Sequence, residues 1–74
     1  MPYQIAEWRG EHARTAVQDK PPFGLGMTDE TLIARVERVK VTGSSFTDSG
    51  DDWVLIEAFD ASGAEIASQK IEGY

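Results

Sequence analysis

The densest group of metal-ligating side chains in the sequence stands around a glycine. Asp48, Asp51 and Asp52 lie within the segment Asp48-Ser49-Gly50-Asp51-Asp52, and carboxylate oxygens are the ligands that calcium prefers. Calcium-binding loops carry acids at alternate positions and a glutamate at a fixed distance, and this segment has neither feature. The pattern therefore favours a solvated turn whose aspartates accept hydrogen bonds from backbone amides, and we expect no metal and no other cofactor.

His12 is the side chain best suited to proton transfer near neutral pH, and it is the only histidine. It could act as a general base beside Glu7 or Glu11. A single histidine cannot form a multi-histidine metal site, and the absence of cysteine removes a thiolate nucleophile. A surface histidine is the simpler interpretation.

Gly24-Leu25-Gly26 resembles the beginning of a phosphate-binding loop. Such loops need a further glycine or a Lys-Ser/Thr pair downstream, but Asp29 occupies the glycine position and no such pair follows. The segment is better explained as a turn. Because no nucleophile and base, metal set or phosphate loop remains, the sequence does not predict an enzyme.

The sequence contains enough aromatic side chains to stack on nucleic acid bases. Proteins that bind single strands in this way surround their aromatics with Lys and Arg, whereas the C-terminal region here is acidic. Core and protein-interface roles therefore both stay open, and Trp53, beside Asp51 and Asp52, is typical of an interface anchor next to a charged rim. The aromatics in question are Trp8, Phe46, Trp53, Phe59 and Tyr74.

The charge of the chain is unevenly distributed along its length. The 74 residues carry a formal charge of −6. Residues 1–43 contain six acids and six bases, whereas residues 44–74 contain seven acids and the single base Lys70. A field of one sign repels nucleic acid phosphates, so direct DNA or RNA binding is not expected. The same field attracts a basic groove, including a groove built to hold nucleic acid.

The length predicts a single small domain spanning residues 1–74. A domain of this size buries only about 60% of its unfolded surface, so self-association or partner binding would stabilise it. Its N-terminus lacks the basic and apolar regions of a signal peptide, and its longest run of large apolar residues is Trp53-Val54-Leu55-Ile56. We therefore expect a cytoplasmic protein with no membrane association.

A hairpin near the C-terminus is the element that the sequence determines best. The segment 53–59 is β-branched and aromatic, and Asp60-Ala61-Ser62-Gly63 provides an aspartate and a glycine for a bulged turn. Residues 64–72 then return as the partner strand. Both faces of the first strand are apolar, which is typical of a strand covered on both sides. So small a chain has little material for two layers, and a partner is expected to cover one face.

Residues 28–42 allow two interpretations. Thr28 as N-cap and acids in a first turn indicate a helix, around residues 29–38. The many β-branched residues and the alternation at 39–42 favour a strand with a bulge near Glu37-Arg38. Residues 3–8 are predicted as a further strand, and residues 11–18 as a strand or a short helical turn. The predicted fold is a mainly β, small antiparallel sheet with a C-terminal β-hairpin and at most one helix, which would make it α+β.

The first functional hypothesis is a non-catalytic inhibitor that binds a protein with a basic surface. Carboxylates at alternate positions of a strand lie about 6.7 Å apart, close to the spacing of phosphates along a nucleic acid strand. Such a surface can occupy the nucleic-acid groove of another protein. The residues predicted to bind the partner are Asp48, Asp51, Asp52, Trp53, Glu57, Asp60 and Glu65.

In its small size, acidity and lack of cofactor motifs, the chain resembles the small phage-encoded anti-CRISPR and anti-restriction inhibitors, several of which mimic DNA or block a nuclease surface. The resemblance is one of composition and covers no alignable motif. It implies a nuclease complex as the partner. Residues 1–43 are neutral, unlike the strongest mimics, so a mixed apolar and acidic interface through Trp53 fits the sequence equally well.

The alternative is a small structural or assembly subunit of a virion or multiprotein complex. In that case the two-faced strand 53–59 would mediate oligomerisation, for example as a homodimer. The two hypotheses differ in their partners, since the inhibitor binds a basic protein and the subunit binds copies of itself or of its neighbours.

Overall fold

The fold is one four-stranded antiparallel sheet with two short helices. The computed structural model describes residues 3–21, 23–44 and 52–72. The strands lie in the order in which they occur in the chain, and each pairs with the next. Their bounds are β1 Tyr3–Arg9, β2 Arg38–Gly43, β3 Trp53–Phe59 and β4 Glu65–Glu72, and the helices are α1 Glu11–Ala16 and α2 Glu30–Arg35. The predicted mainly β fold is confirmed.

The predicted C-terminal hairpin is present as β3 and β4. Its turn is closed by hydrogen bonds from the backbone N–H of Asp60 to the carbonyl of Ala64 at 2.9 Å and from Gly63 to Asp60 at 3.0 Å. Gly63 adopts a φ of 88°, which side-chain-bearing residues rarely adopt. The register shifts by one residue beside Phe59, as expected for a bulged turn.

The described residues form two helices, one more than predicted, because the segment 11–18, for which a strand or a short helical turn was expected, is helical. Within residues 11–18 the helix α1 spans Glu11–Ala16, because Ala13, Ala16 and the C-cap Val17 recur at helical spacing and are all buried. Their short side chains let the helix pack closely on β1 and β2. Six helical residues are too few to be stable alone, so this packing decides their conformation.

Residues 28–42 contain both a helix and a strand: the short helix predicted around residues 29–38 is present as α2, and the alternating residues 39–42 belong to β2. Asp29, and not Thr28, is the N-cap of α2, and its carboxylate accepts hydrogen bonds from the backbone N–H groups of Thr31 at 2.9 Å and Leu32 at 3.4 Å. The helix ends at Arg35, and Val36 is already extended and fully buried. The β-branched residues after this point form β2, where alternate residues are buried.

The core lies on one face of the sheet only. Alternate residues of β2 and β3 are buried, and α1 and Val36 pack against them. Leu25, Met27 and Ile33 extend this layer from the connecting segment and from α2. The buried apolar side chains of the cluster are Ala13, Val17, Val36, Val39, Val41, Val54, Ile56 and Ala58.

The segment after α1 is folded back on the helix by backbone hydrogen bonds. The carbonyl of Val17 accepts from the N–H groups of Leu25 at 3.3 Å and Met27 at 2.9 Å, and the carbonyl of Asp19 accepts from Gly26 at 2.7 Å. Gly24 lies so close to the helix end that an added Cβ would overlap the carbonyl oxygen of Ala16. The close approach of these backbones therefore requires glycine at this position.

Gly24→Ala is expected to destabilise the protein by about 3 kcal/mol or more, because backbone atoms cannot move aside for the methyl group. The matched control is Gly63→Ala, where nothing lies within 4 Å of an added Cβ and only the positive φ is unfavourable. That control should cost about 1 kcal/mol. Urea unfolding followed by circular dichroism measures both, and equal losses for the two variants would contradict the close approach at Gly24.

Candidate functional site

The face of the sheet opposite the core is the candidate site, and we call it the open face. Its residues follow from the strand register, because paired residues in an antiparallel sheet point to the same side. Both helices contribute their packing residues to the core face, so no layer covers the open face within residues 3–21, 23–44 and 52–72. The open face comprises Gln4, Glu7, Arg9, Arg38, Lys40, Thr42, Trp53, Leu55, Glu57, Phe59, Glu65, Ser68, Lys70 and Glu72.

Two aromatic rings of β3 on this face each lie close to the charged group of a basic side chain. The guanidinium carbon of Arg38 lies 4.6 Å from the centre of the Phe59 ring. The ammonium of Lys70 lies 5.0 Å from the centre of the Trp53 ring. Both distances are within the range of cation–π interactions. Together with Leu55 between them, these rings remain only half-buried, and the long basic side chains provide part of their cover.

The open face is balanced in charge. Its acids are countered by bases of β1, β2 and β4, and several are ion-paired: Glu7 with Arg9 at 3.3 Å and with Arg38 at 3.7 Å, and Glu72 with Lys70 at 3.3 Å. The imbalance between the two parts of the sequence therefore does not persist in the sheet, because β2 brings Arg38 and Lys40 beside β3. The acids of the face are Glu7, Glu57, Glu65 and Glu72, and its bases are Arg9, Arg38, Lys40 and Lys70.

Glu57 and Glu65 form a carboxylate pair within this face. Burial is the largest cause that raises the pKa of Glu57, followed by a hydrogen bond to the Glu65 side chain and by the negative charge of Glu65. The positive charges of Lys40 and Arg38 lower the pKa of Glu57 but do not cancel the rise. The nearby bases only partly offset the repulsion between these two carboxylates. A further cation placed between them would therefore stabilise the pair.

Thr42 belongs to the open face, but its hydroxyl is buried and has no hydrogen-bond partner among the described residues. Thr42 pairs with Gln4 of β1 and Leu55 of β3. Its oxygen is shielded from solvent, so it is not satisfied at the surface of the isolated chain. It is a buried polar atom near the end of β2 that a partner could satisfy.

Asp52 faces away from the open face and supports the start of β3. It is 5% exposed, and its carboxylate accepts a hydrogen bond from the Ser44 hydroxyl at 3.5 Å. The same hydroxyl oxygen accepts from the backbone N–H of Trp53 at 3.0 Å. These contacts tie the ends of β2 and β3 together, which gives Asp52 a structural role.

Asp60 holds the turn of the hairpin. Its carboxylate oxygen accepts from the Ser62 hydroxyl at 2.6 Å and from the backbone N–H groups of Ser62 at 2.9 Å and Ala64 at 3.0 Å. Arg35 of α2 lies 3.6 Å from its other oxygen. The Ser62 hydroxyl is the main cause that lowers the pKa of Asp60, and the backbone donors and Arg35 act in the same direction.

The structure thus brings three of the predicted binding residues together and separates two from them. Trp53, Glu57 and Glu65 share the open face, whereas Asp52 and Asp60 flank the two ends of β3, where Asp52 bonds to Ser44 and Asp60 holds the hairpin turn. The predicted residues Asp48 and Asp51 lie outside the described residues.

The bases of the open face were absent from the predicted site. Arg38 and Lys40 belong to a segment whose conformation was ambiguous, so their position beside β3 could not be predicted. The alternation of residues 38–43 was the available signal, because it places both bases on the face opposite Val39 and Val41.

Two classes of site have no support in the described part of the chain. None of its groups of His, Asp and Glu side chains is arranged to hold a metal ion. Neither helix in it is long and apolar enough to cross a membrane.

Comparisons with protein-family models, with curated proteins and with solved structures found no match to this chain. The candidate site therefore stands on the geometry alone.

Replacing Glu57 by glutamine is expected to stabilise the protein at neutral pH by up to about 1 kcal/mol, a limit set by solvent screening. The raised pKa of Glu57 favours folding below the ordinary value of 4.5, and this contribution is lost as the pH rises through the folded-state value. The gain should therefore vanish in acid. Thermal unfolding of Glu57→Gln, with Glu72→Gln as control, measures it, and a loss of stability at neutral pH would contradict the carboxylate pair.

Replacing Asp60 by alanine is expected to lower the melting temperature at neutral pH, because the turn loses its acceptor. Asp60→Asn should lower it less, since an amide oxygen still accepts from N–H donors. The lowered pKa means that the carboxylate contributes stability above pH 3.8 and loses it as the pH falls through the folded-state value. In a pH series of melting curves, the wild-type advantage over Asp60→Asn should disappear in acid, and a constant advantage would refute this role of the charge.

Proposed function

We propose that the protein is a non-catalytic protein-binding domain that docks through its open face on a partner with a basic surface. The observation that carries the proposal is the Glu57 and Glu65 carboxylate pair, on a sheet face that no described layer covers. The open face has an apolar part and an electrostatic part.

The apolar part rests on Trp53, Leu55 and Phe59. They lie on one face of β3, a strand in the interior of the sheet, and are neither buried nor fully exposed. Aromatic side chains dominate the energetics of protein interfaces, since they bury much apolar area with little loss of conformational freedom. A partner that removes water from these rings would also strengthen the contacts of Arg38 and Lys70 with them.

The electrostatic part rests on the carboxylate pair. A lysine or arginine of a partner placed between Glu57 and Glu65 would remove their mutual repulsion and lower the raised pKa of Glu57. Charge complementarity of this kind contributes mainly to specificity and association rate. The partner must also offer acceptors to Arg38 and Lys40, because both bases lie on the same face.

The kind of partner follows from the charge of the whole chain. A net charge of −6 directs the protein toward basic surfaces, and the basic surfaces of nuclease complexes hold nucleic acid. We therefore propose inhibition of a nucleic-acid-binding nuclease complex, of the anti-CRISPR or anti-restriction type, as the biological role. The balanced charges of the open face favour docking through a mixed surface over imitation of DNA along its whole length.

A structural or assembly subunit is the second candidate, and the balanced open face favours it. Equal numbers of acids and bases allow two copies to pair their faces about a two-fold axis. In addition, β4 lies at one edge of the sheet and pairs only with β3 among the described strands, which leaves an edge for addition of another strand.

The test is capture of partners by the tagged protein from a lysate of the source organism, at low and high salt, followed by mass spectrometry. We expect a nucleic-acid-binding complex that is released by salt or by competitor DNA. Trp53→Ala and the double variant Glu57→Lys, Glu65→Lys should lose it. Glu30→Lys is the matched control, because Glu30 is an exposed acid of α2 that lies off the open face, and it should retain the complex.

The outcomes separate the two candidates. Equal capture by the open-face variants and the wild type would refute docking through this face. Capture of the protein alone, together with a stable oligomer in light scattering that Trp53→Ala dissociates, would replace the inhibitor with the assembly subunit.

A further inference from the structure

A second surface feature lies on the other side of the sheet. A cleft of about 410 Å³ opens between β1, α1 and the segment that follows α1. Trp8 belongs to the face of β1 that packs on the core, so this cleft is separate from the open face. The residues that line it are Trp8, His12, Thr15, Ala16, Asp19 and Phe23.

Phe23 is exposed beside this cleft and yet held in place. Its side chain is 74% exposed, the largest value among the large apolar side chains of the described residues. Its backbone N–H donates to the carbonyl of Lys20 at 3.0 Å, and the N–H of Gly24 donates to the same carbonyl at 3.2 Å. Gly24, which directly follows Phe23, packs closely on the end of α1. The ring of Phe23 is therefore exposed to solvent, whereas its backbone is held by hydrogen bonds.

Asp19 lines the same cleft. The backbone oxygen of Asp19 accepts a hydrogen bond from Gly26, but its side chain makes no hydrogen bond or ion pair within residues 3–21, 23–44 and 52–72. Thr15 and His12, both exposed on α1, add polar atoms to the lining. Lys20 follows Asp19 directly and has no ion pair within these residues, so it is the cation nearest in sequence that could compete for the carboxylate.

We propose that this cleft binds the cationic head group of an organic ligand, of the guanidinium or alkylammonium type. Trp8 and Phe23 both line the cleft, the face of an aromatic ring attracts such a cation, and the carboxylate of Asp19 can neutralise its charge. The net charge of −6 raises the local concentration of cations around the whole molecule. The site is independent of the proposed function, because it shares no residue with the open face.

The experiment is an NMR titration of the labelled full chain with N-acetyl-arginine amide, using the indole N–H signals of the two tryptophans. Trp8 should shift, whereas the Trp53 signal reports separately on any binding of the cation to the open face. The neutral analogue N-acetyl-citrulline amide should cause no shift of Trp8. An equal response to citrulline, or no response to arginine at about 10 mM, would overturn the proposal.

Two substitutions test the parts of the site. Phe23→Leu keeps an apolar side chain but removes the ring, and it should weaken binding about fivefold. Asp19→Asn keeps the shape and removes the charge, with a similar effect, whereas Glu72→Gln removes a charge on the open face and should have none. Wild-type affinity in both cleft variants would overturn the proposal even if a Trp8 shift is seen.

The source of the cation is resolved by comparing the free amide with a Gly/Ser-flanked peptide that contains one arginine. Tighter binding of the peptide assigns the ligand to a basic side chain of a protein, and equal binding assigns it to a small free molecule.

Discussion

The alternation of β2 and β3 is the constraint on which the rest of the structure depends. Each strand places valine, isoleucine or alanine on one side at every second residue, and these side chains pack under α1. A shift of register by one residue would exchange the two faces, so the core fixes the register. The same alternation forces Arg38, Lys40, Glu57 and Phe59 onto the opposite face. The open face is therefore a direct consequence of how the core is built.

This arrangement explains how an acidic chain acquires a face of balanced charge. The acids of β3 and β4 belong to the part of the sequence that carries the whole net charge, but the bases of β2 lie next to them in the sheet. Arg38 is shared between Glu7 and the Phe59 ring, and Lys70 between Glu72 and the Trp53 ring. The negative charges of Glu57 and Glu65 are the least balanced by neighbouring bases. The partner is therefore expected to be basic where it meets this pair.

Sequence patterns predicted the elements whose conformation is decided locally. The hairpin was predictable because Asp60 and Gly63 have the chemistry of its turn, and β1 because residues 3–8 suit a strand. In α1 and in the segment 28–42, by contrast, tertiary contacts decide the conformation: Ala13 and Ala16 become helical by packing on the sheet, and the chain changes from helix to strand at Val36. Trp53, Glu57 and Glu65 could be assigned to one surface from alternation alone, but their basic neighbours required the pairing of β2 with β3.

The central claim, that the open face contacts another protein chain, is tested most directly by site-specific photo-crosslinking in cells of the source organism. A benzoylphenylalanine replaces Phe59 on the open face, or Thr31, an exposed residue of α2, as the reference position. The account predicts a crosslinked product from position 59 and none from position 31. Crosslinking from position 31 with none from position 59 would contradict it.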